Sequence, residues 1–370
     1  MTHFAWIVFG FALLPLLLGL SNIALLRAPR RREGSAPKVS ILIPARNEEA
    51  RLGPVLAAAQ ASADVDLEII VADDHSTDGT GALVEQAMAD DKRVKLTTPP
   101  PPTTLAGKMN ACAHLGAEAT GDVLLFIDAD VTLAPDAARR IADHMAANDF
   151  ALVSGFPRQV TETWWEKVLI PLIYAVLMGY LPLIGMKFTR FAMFAQGCGQ
   201  LMAVTGGSYR AMGGHAVMEN RLHDGVVMPG KWRKAGYGTD LIDATPLADC
   251  RMYESFPEIW KGFSKNATEA MATPVGLPVW TMLLGLGHVL PVLTAALALF
   301  GFVPPLPGFG ALAAVFAYRA LLTAKFRQDP AGALTHPLGI AMLVALQWRA
   351  FFDARAGKRV SWKGREYVPR

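Results

Sequence analysis

The chain has 370 residues, 52% of them hydrophobic, and a formal net charge of +3 at pH 7. Its mean hydropathy of +0.29 lies above the usual soluble composition and indicates a membrane protein carrying a soluble part. So small a positive balance, with the basic residues gathered beside apolar runs, argues against nucleic acid as a partner and for anionic lipid headgroups.

Residues 4–26 contain no charged side chain, and such a run, rising about 1.5 Å per residue, crosses a hydrocarbon core of roughly 30 Å. Arg27, Arg30, Arg31 and Arg32 follow the run instead of preceding it, which favours a retained span over a cleaved signal peptide. By the positive-inside rule they hold the downstream chain in the cytoplasm. Cys112, Cys198 and Cys250 lack metal-type spacing and would stay reduced there, so they receive no role.

From Lys38 to about Thr273, short apolar runs alternate with amphipathic stretches, the pattern of an α/β sheet covered by helices. The pattern predicts strands at 39–43 and 67–72, helices at 49–61 and 80–89, and hence two right-handed β-α-β units. A short strand at 94–96, a stiff linker at 99–102, a helix at 108–119 and a strand at 123–127 follow. Asp73-Asp74 and Asp128-Ala129-Asp130 are then expected to end neighbouring strands and to converge on one crevice beyond their carboxyl ends. Two carboxylates one residue apart at such a place suggest a site for a metal and a diphosphate.

Residues 164–186 are largely apolar but broken by Pro171 and Pro182, which suits a helix at the membrane interface or one buried in a core. Residues 275–300 and 308–324 are two further spans, separated by Pro304-Pro305-Leu306-Pro307, with Lys325 and Arg327 returning the chain to the cytoplasm. Residues 334–352 are apolar, but a full crossing would place Arg355, Lys358, Arg359, Lys363 and Arg365 outside, against the same rule. Both a re-entrant segment and a full span stay open. The expected organisation is residues 1–37 as a transmembrane helix with a basic flank, 38–273 as a cytoplasmic domain, 274–353 as a membrane region, and 354–370 as a basic cytoplasmic tail.

The first strand runs into Pro44-Ala45-Arg46-Asn47-Glu48-Glu49 and the second into Asp73-Asp74-His75-Ser76-Thr77-Asp78-Gly79-Thr80. Asn47, and Thr77 or Asp78, would serve as helix N-caps, but the doubled Asp73-Asp74 is costly as mere capping because like charges crowd. A nucleoside offers base and ribose donors that such carboxylates accept.

With Gly107-Lys108-Met109-Asn110-Ala111 and Asp128-Ala129-Asp130 added in order, residues 38–266 resemble the family 2 glycosyltransferases. The resemblance implies a nucleotide-diphospho-sugar transferase fold of GT-A type with a mainly parallel sheet, and transmembrane helices at both ends of the chain. It also implies that Pro44, Arg46, Glu48, Asp73 and Asp74 hold base and ribose, that Lys108 lies near the nucleotide, and that Asp130 ligates Mg²⁺ or Mn²⁺. Asp128 would contact ribose or metal-bound water. A hard cation that uses one or two carboxylates plus phosphate oxygens suits such a pair.

The family's catalytic base usually lies in an acidic pair opening a helix after a Gly-rich strand. His223-Asp224 occupies that place, after Gly206-Gly207 and Gly213-Gly214. Asp224 is the expected base; His223, where an acid is commoner, would orient it, or is an ordinary surface histidine. An inverting displacement needs no enzyme nucleophile, in keeping with the lack of a Ser or Cys constellation. The Q-x-x-R-W motif of processive members is not evident; Glu258 to Asn266 stands there instead. Within it, Trp260 would stack near the acceptor or anchor at the interface, and Lys265 would approach the diphosphate or a headgroup.

The segment 360–367, Val-Ser-Trp-Lys-Gly-Arg-Glu-Tyr, is similar to tails of membrane glycosyltransferases of ceramide glucosyltransferase-like, hopanoid-associated and carotenoid types. The resemblance thus implies a metal-dependent hexosyltransferase of the inner membrane, multi-pass with a cytoplasmic catalytic domain. It would move one sugar, from a UDP-sugar by preference, to a membrane lipid of hopanoid type. A processive polysaccharide synthase and a nucleotide-binding scaffold without turnover are the alternatives.

Overall fold

The computed structural model describes residues 1–35, 37–102, 107–218, 224–358, 360–362 and 365–367. The chain forms two compact units, one of Leu26–Arg158 and Gly185–Cys250, the other of Met1–Leu25, Gln159–Ile184 and Arg251–Arg370.

Among the described residues, the first unit is built on a sheet of eight strands: β1 Val39–Ala45, β2 Leu67–Asp73, β3 Val94–Thr97, β4 Val123–Ile127, β5 Val131–Leu133, β6 Leu152–Gln159, β7 Leu201–Thr205 and β8 Thr239–Cys250. Their order is β3-β2-β1-β4-β7-β6-β8-β5. β1, β2 and β4 are buried along almost their whole length, which is why they read as continuous apolar runs. Met109, Cys112 and Leu115 of helix Gly107–Glu118, and Met228 and Trp232 of helix Asp224–Lys234, pack with Leu42, Ile70, Leu124 and Phe126 of these strands.

Two expectations need correction. The sheet is mixed: β1 pairs in parallel with β2 and β4, and β2 with β3, but β4–β7, β6–β7 and β5–β8 are antiparallel. Only the β-α-β half is obliged to be parallel, because a parallel neighbour needs a crossover connection and an antiparallel one does not. Secondly, β2 and β4 are not neighbours. β1 lies between them, so the acidic strand ends flank the loop after β1, at the point where the strand order reverses.

Among the described residues of the second unit, three helices are long and apolar enough to cross a membrane by length and composition: Thr2–Leu25, Gly276–Leu299 and Pro305–Lys325. They lie at the amino terminus and in the carboxyl-terminal third, and the last described residues are not a span. Residues 336–352 of the apolar segment 334–352 fall in one continuous helix, His336–Arg355, which is not among those three. Residues 164–186 break at the prolines into Trp164–Leu169, Leu172–Tyr180 and Leu183–Phe188. Val168, Leu169 and Leu172 are buried with Ile259, Ile340 and Leu343, so this segment is part of the unit's core. Buried Asn22 bridges the break at Pro182: its Nδ2 donates to the carbonyls of Met178 and Leu181 at 2.8 Å each, and its Oδ1 accepts from Leu183 N at 2.9 Å. The helix end left open by the proline is thereby satisfied.

Candidate active site

The loops after β1 and β2 are laced together. Arg46 donates to the carbonyls of Asp74 at 2.6 Å and His75 at 3.3 Å. Asn47 N donates to Ser76 Oγ at 2.9 Å, and Asn47 Oδ1 accepts from Thr77 N at 2.8 Å. Asn47 therefore caps no helix; it braces the second loop, and both Asn47 and His75 take the left-handed backbone, with φ of 51° and 56°. Glu49 Oε2 accepts from Gly79 N at 2.9 Å, and Asp73 Oδ1 from Ser76 N at 2.9 Å. Asp74 is buried. Pro44, Arg46, Glu48, Asp73 and Asp74 are thus brought to one edge, beside the carboxyl end of β1.

Beyond the end of β4, the Lys108 ammonium joins three chain segments. Its Nζ is 2.6 Å from Asp128 Oδ1 and 3.8 Å from Asp224 Oδ2, and it donates to Gly199 O at 2.9 Å. Burial works against its charge, but Asp128 and Asp224 outweigh burial and raise its pKa. Asp224 is likewise buried, yet Lys108, His215 and the Gly225 amide hold its carboxyl down at about 2. Its Oδ1 accepts from Gly225 N at 2.7 Å. Glycine at 199 leaves the carboxylate its place: a Cβ there would collide with Asp224 Oδ1 and displace it.

Asp130 is in the opposite condition. Its Oδ1 is buried without a hydrogen-bond partner. Burial first, then the neighbouring carboxylates of Asp128 and Glu48, push its pKa up to about 7, against a hydrogen bond with Cys250 that lowers it. Among the described residues no cluster of three or more His, Cys, Asp or Glu side chains forms a ready-made metal cage.

The structure accordingly brings Lys108, Asp128, Asp130, Asp224 and Glu48 together. Trp260 and Lys265 lie on helix Phe256–Ala270 in the other unit, where Trp260 packs beside Ala267, Ala272 and Leu346. His223 lies outside the described residues. His215 and Tyr209 escaped the sequence reading. His215 Nε2 faces Asp224 Oδ2 at 3.5 Å, and its Nδ1 is 2.9 Å from the Tyr209 hydroxyl. The one signal in the sequence was Gly213-Gly214 before His215, a tight turn that brings the imidazole in. Gly197-Cys198-Gly199 similarly marked the close approach of backbone to Asp224.

Residues 40–205 match the family model described as glycosyl transferase family 2. The chain is 23% identical over 371 residues to 4,4'-diaponeurosporenoate glycosyltransferase of Staphylococcus aureus (strain MRSA252), across 89% of this chain and 88% of the relative. It is 26% identical over 303 residues to the protein of that name from Staphylococcus haemolyticus (strain JCSC1435), across 79% and 78%. Its fold is similar to that of a mannosyltransferase from Pyrobaculum calidifontis solved in complex with GDP-Man and Mn²⁺, with a TM-score of 0.51 and 17% identity, over 95% of this chain and 99% of the other. That likeness establishes the GT-A nucleotide-sugar transferase fold with its mixed sheet. The matched segment and the relatives make this chain similar to glycosyltransferases of family 2.

Proposed function

We propose that this chain transfers a single hexose, with inversion, from a nucleotide-diphosphate sugar to a membrane-lipid acceptor at the cytoplasmic face of the inner membrane. The observation that carries the reading is Lys108, whose one ammonium lies between Asp128 on the donor side and Asp224 on the acceptor side. The three apolar helices and the lipid-like acceptor named for the relatives support a lipid as acceptor.

A divalent cation fits the residues present. Asp130 keeps a buried oxygen without a partner, and the nearby Asp128 and Glu48 charges leave that end of the site short of positive charge. Asp130, with Asp128, would hold Mg²⁺ or Mn²⁺. When bound, such an ion supplies neutralisation for the departing diphosphate. Pro44, Arg46, Glu48, Asp73 and Asp74 hold the nucleoside, and Lys108 lies near its phosphates. Asp224 stays ionised and takes the proton of an acceptor hydroxyl, while positioning replaces a bimolecular encounter. Trp260 and Lys265 are assigned to the acceptor or the diphosphate. The hopanoid-associated resemblance and the diaponeurosporenoate of the relatives give the two acceptor types to compare.

The test is transfer from labelled UDP- and GDP-sugars to extracted membrane lipids by the purified full chain, with mass spectrometry of the products. One added hexose per lipid is expected, with Asp130→Ala losing about 10²- to 10⁴-fold and Asp224→Asn losing as much on a hydroxyl acceptor. Unchanged transfer in either variant, or polymer among the products, would overturn the reading.

A further inference from the structure

We propose that the end of helix Pro305–Lys325 and the loop after it form an oxyanion site, built by Arg319, Gln328 and Thr323, that takes the phosphate of a phospholipid headgroup. Arg319 is 1% exposed and Gln328 8% exposed. Arg319 NH1 donates to Gln328 Oε1 at 2.6 Å, which places the remaining groups of both side chains in one small neighbourhood. Those remaining groups are Arg319 Nε and NH2 and Gln328 Nε2, every one a donor, buried and without a hydrogen-bond partner. Thr323 Oγ1, one helical turn after Arg319, is buried without a partner too.

Such a set is expensive if left as it stands. Burying a guanidinium without a counter-charge is strongly unfavourable. Asp329, the nearest carboxylate in sequence, is engaged with Lys167 at 2.7 Å. Water would satisfy donors but leave the charge, whereas an oxyanion meets both needs, and the planar fork of arginine suits phosphate oxygens. His336 adds another orphan nitrogen, Nδ1, within reach of the Arg319 charge, its Nε2 being 3.1 Å from His288 Nδ1.

The location selects the source of the phosphate. Arg319 stands in the last two turns of a helix long and apolar enough to cross a membrane, next to the end that carries Lys325 and Arg327. That is the level at which cationic side chains meet headgroups. The site lies wholly within the helical unit and is independent of the transfer reaction proposed above.

The test uses the full chain, purified in detergent and stripped of lipid. Its thermal unfolding is followed with phosphatidylglycerol, with diacylglycerol of the same acyl chains, and with inorganic phosphate at constant ionic strength. We expect phosphatidylglycerol to raise Tm by on the order of 2–4 °C and diacylglycerol to leave it unchanged. Arg319→Met and, separately, Gln328→Leu should abolish the response, with Arg319→Met also raising the lipid-free Tm because the uncompensated charge is gone. Should Arg319→Met not fold, Gln328→Leu decides alone. An equal shift from inorganic phosphate overturns the lipid source. No shift from either ligand, or a shift kept in Gln328→Leu, overturns the site.

Discussion

His215 stands between Asp224 and Tyr209, with Nε2 3.5 Å from Asp224 Oδ2 and Nδ1 2.9 Å from the Tyr209 hydroxyl. The imidazole is fully buried, and Tyr209 oxygen also accepts from His215 N at 3.1 Å. When the Tyr209 hydroxyl donates to Nδ1, the ring proton sits on Nε2 and faces the carboxylate; the opposite arrangement would set a lone pair against it. The Tyr209 hydroxyl also donates to the Cys112 carbonyl at 3.2 Å, so its single proton is divided between that oxygen and Nδ1, and the Asp224 carboxylate itself favours the ring proton on Nε2.

His215 is therefore expected to act on turnover through Asp224. His215→Ala should lower kcat by roughly 10- to 100-fold, the range typical of orienting partners, with the donor KM nearly unchanged, and Tyr209→Phe should lower it less. Steady-state kinetics on folded protein check this. A fall in Tm with unchanged kcat would make the pair structural only.

Asp130 should cost stability while the site is metal-free. Its pKa is raised from the ordinary carboxylate value to about 7, so the folded state resists its ionisation. The penalty begins above the unfolded pKa, near 4, and is complete once pH has passed about 7. Asp130→Asn should consequently raise the Tm of chelated protein at pH 8 by the equivalent of up to about 4 kcal/mol, with little difference at pH 4. The same variant should lose the stabilisation that Mn²⁺ gives the wild type. Thermal unfolding with and without chelator at both pH values measures it.

The half of the sheet with β1, β2 and β4 was legible in the sequence because these strands are buried on both faces. β1, β2 and β4 show as apolar runs that stop at Asp73 and Asp128, and the fold only had to set their order. The other half was not legible for a physical reason. β5 is three residues long, and β8 carries Asp240, Asp243 and Asp249 inside a strand. Those charges are satisfied within the protein, Asp240 by His144 at 2.9 Å and by Lys187 at 2.5 Å, so no alternation of apolar and polar residues survives to betray the strand. The bridge from Lys108 to Asp224 and the role of His215 join segments far apart in the chain. They exist only once β4 and β7 are paired.

Glu68 should govern acid stability. It joins β2 to its surroundings by accepting from Ser40 Oγ at 2.7 Å, Thr120 N at 2.7 Å, Thr120 Oγ1 at 2.8 Å and Lys95 Nζ at 2.8 Å. Burial alone would raise its pKa, but these donors outweigh it and hold the carboxyl at about 2. A depressed carboxyl stabilises the fold above its unfolded pKa, and that contribution is lost as pH falls from about 4.5 towards 2. Glu68→Gln should therefore destabilise by about 2–3 kcal/mol at pH 7, and the gap to wild type should close across that acid window. Unfolding midpoints measured from pH 7 down to 2.5 give the result; a gap independent of pH would assign the loss to packing.

Asp224 can distinguish the two acceptor chemistries. A hydroxyl acceptor has a proton to lose, so its transfer depends on a base, whereas a carboxylate acceptor is already deprotonated at neutral pH. Asp224→Asn keeps the shape beside Gly199 and Gly225 but removes the proposed base and the negative charge that faces Lys108. If the acceptor is a hydroxyl, the variant should lose about 10²- to 10⁴-fold in kcat. With a carboxylate such as that named for the relatives, the loss should stay within roughly tenfold, the scale of a misplaced charge partner in a partly hydrated site. Parallel rates for a hydroxylated lipid and a carboxylated one, in wild type and Asp224→Asn, separate these cases. Equal losses on both acceptors would show that Asp224 acts through Lys108 and the donor instead of through the acceptor's proton.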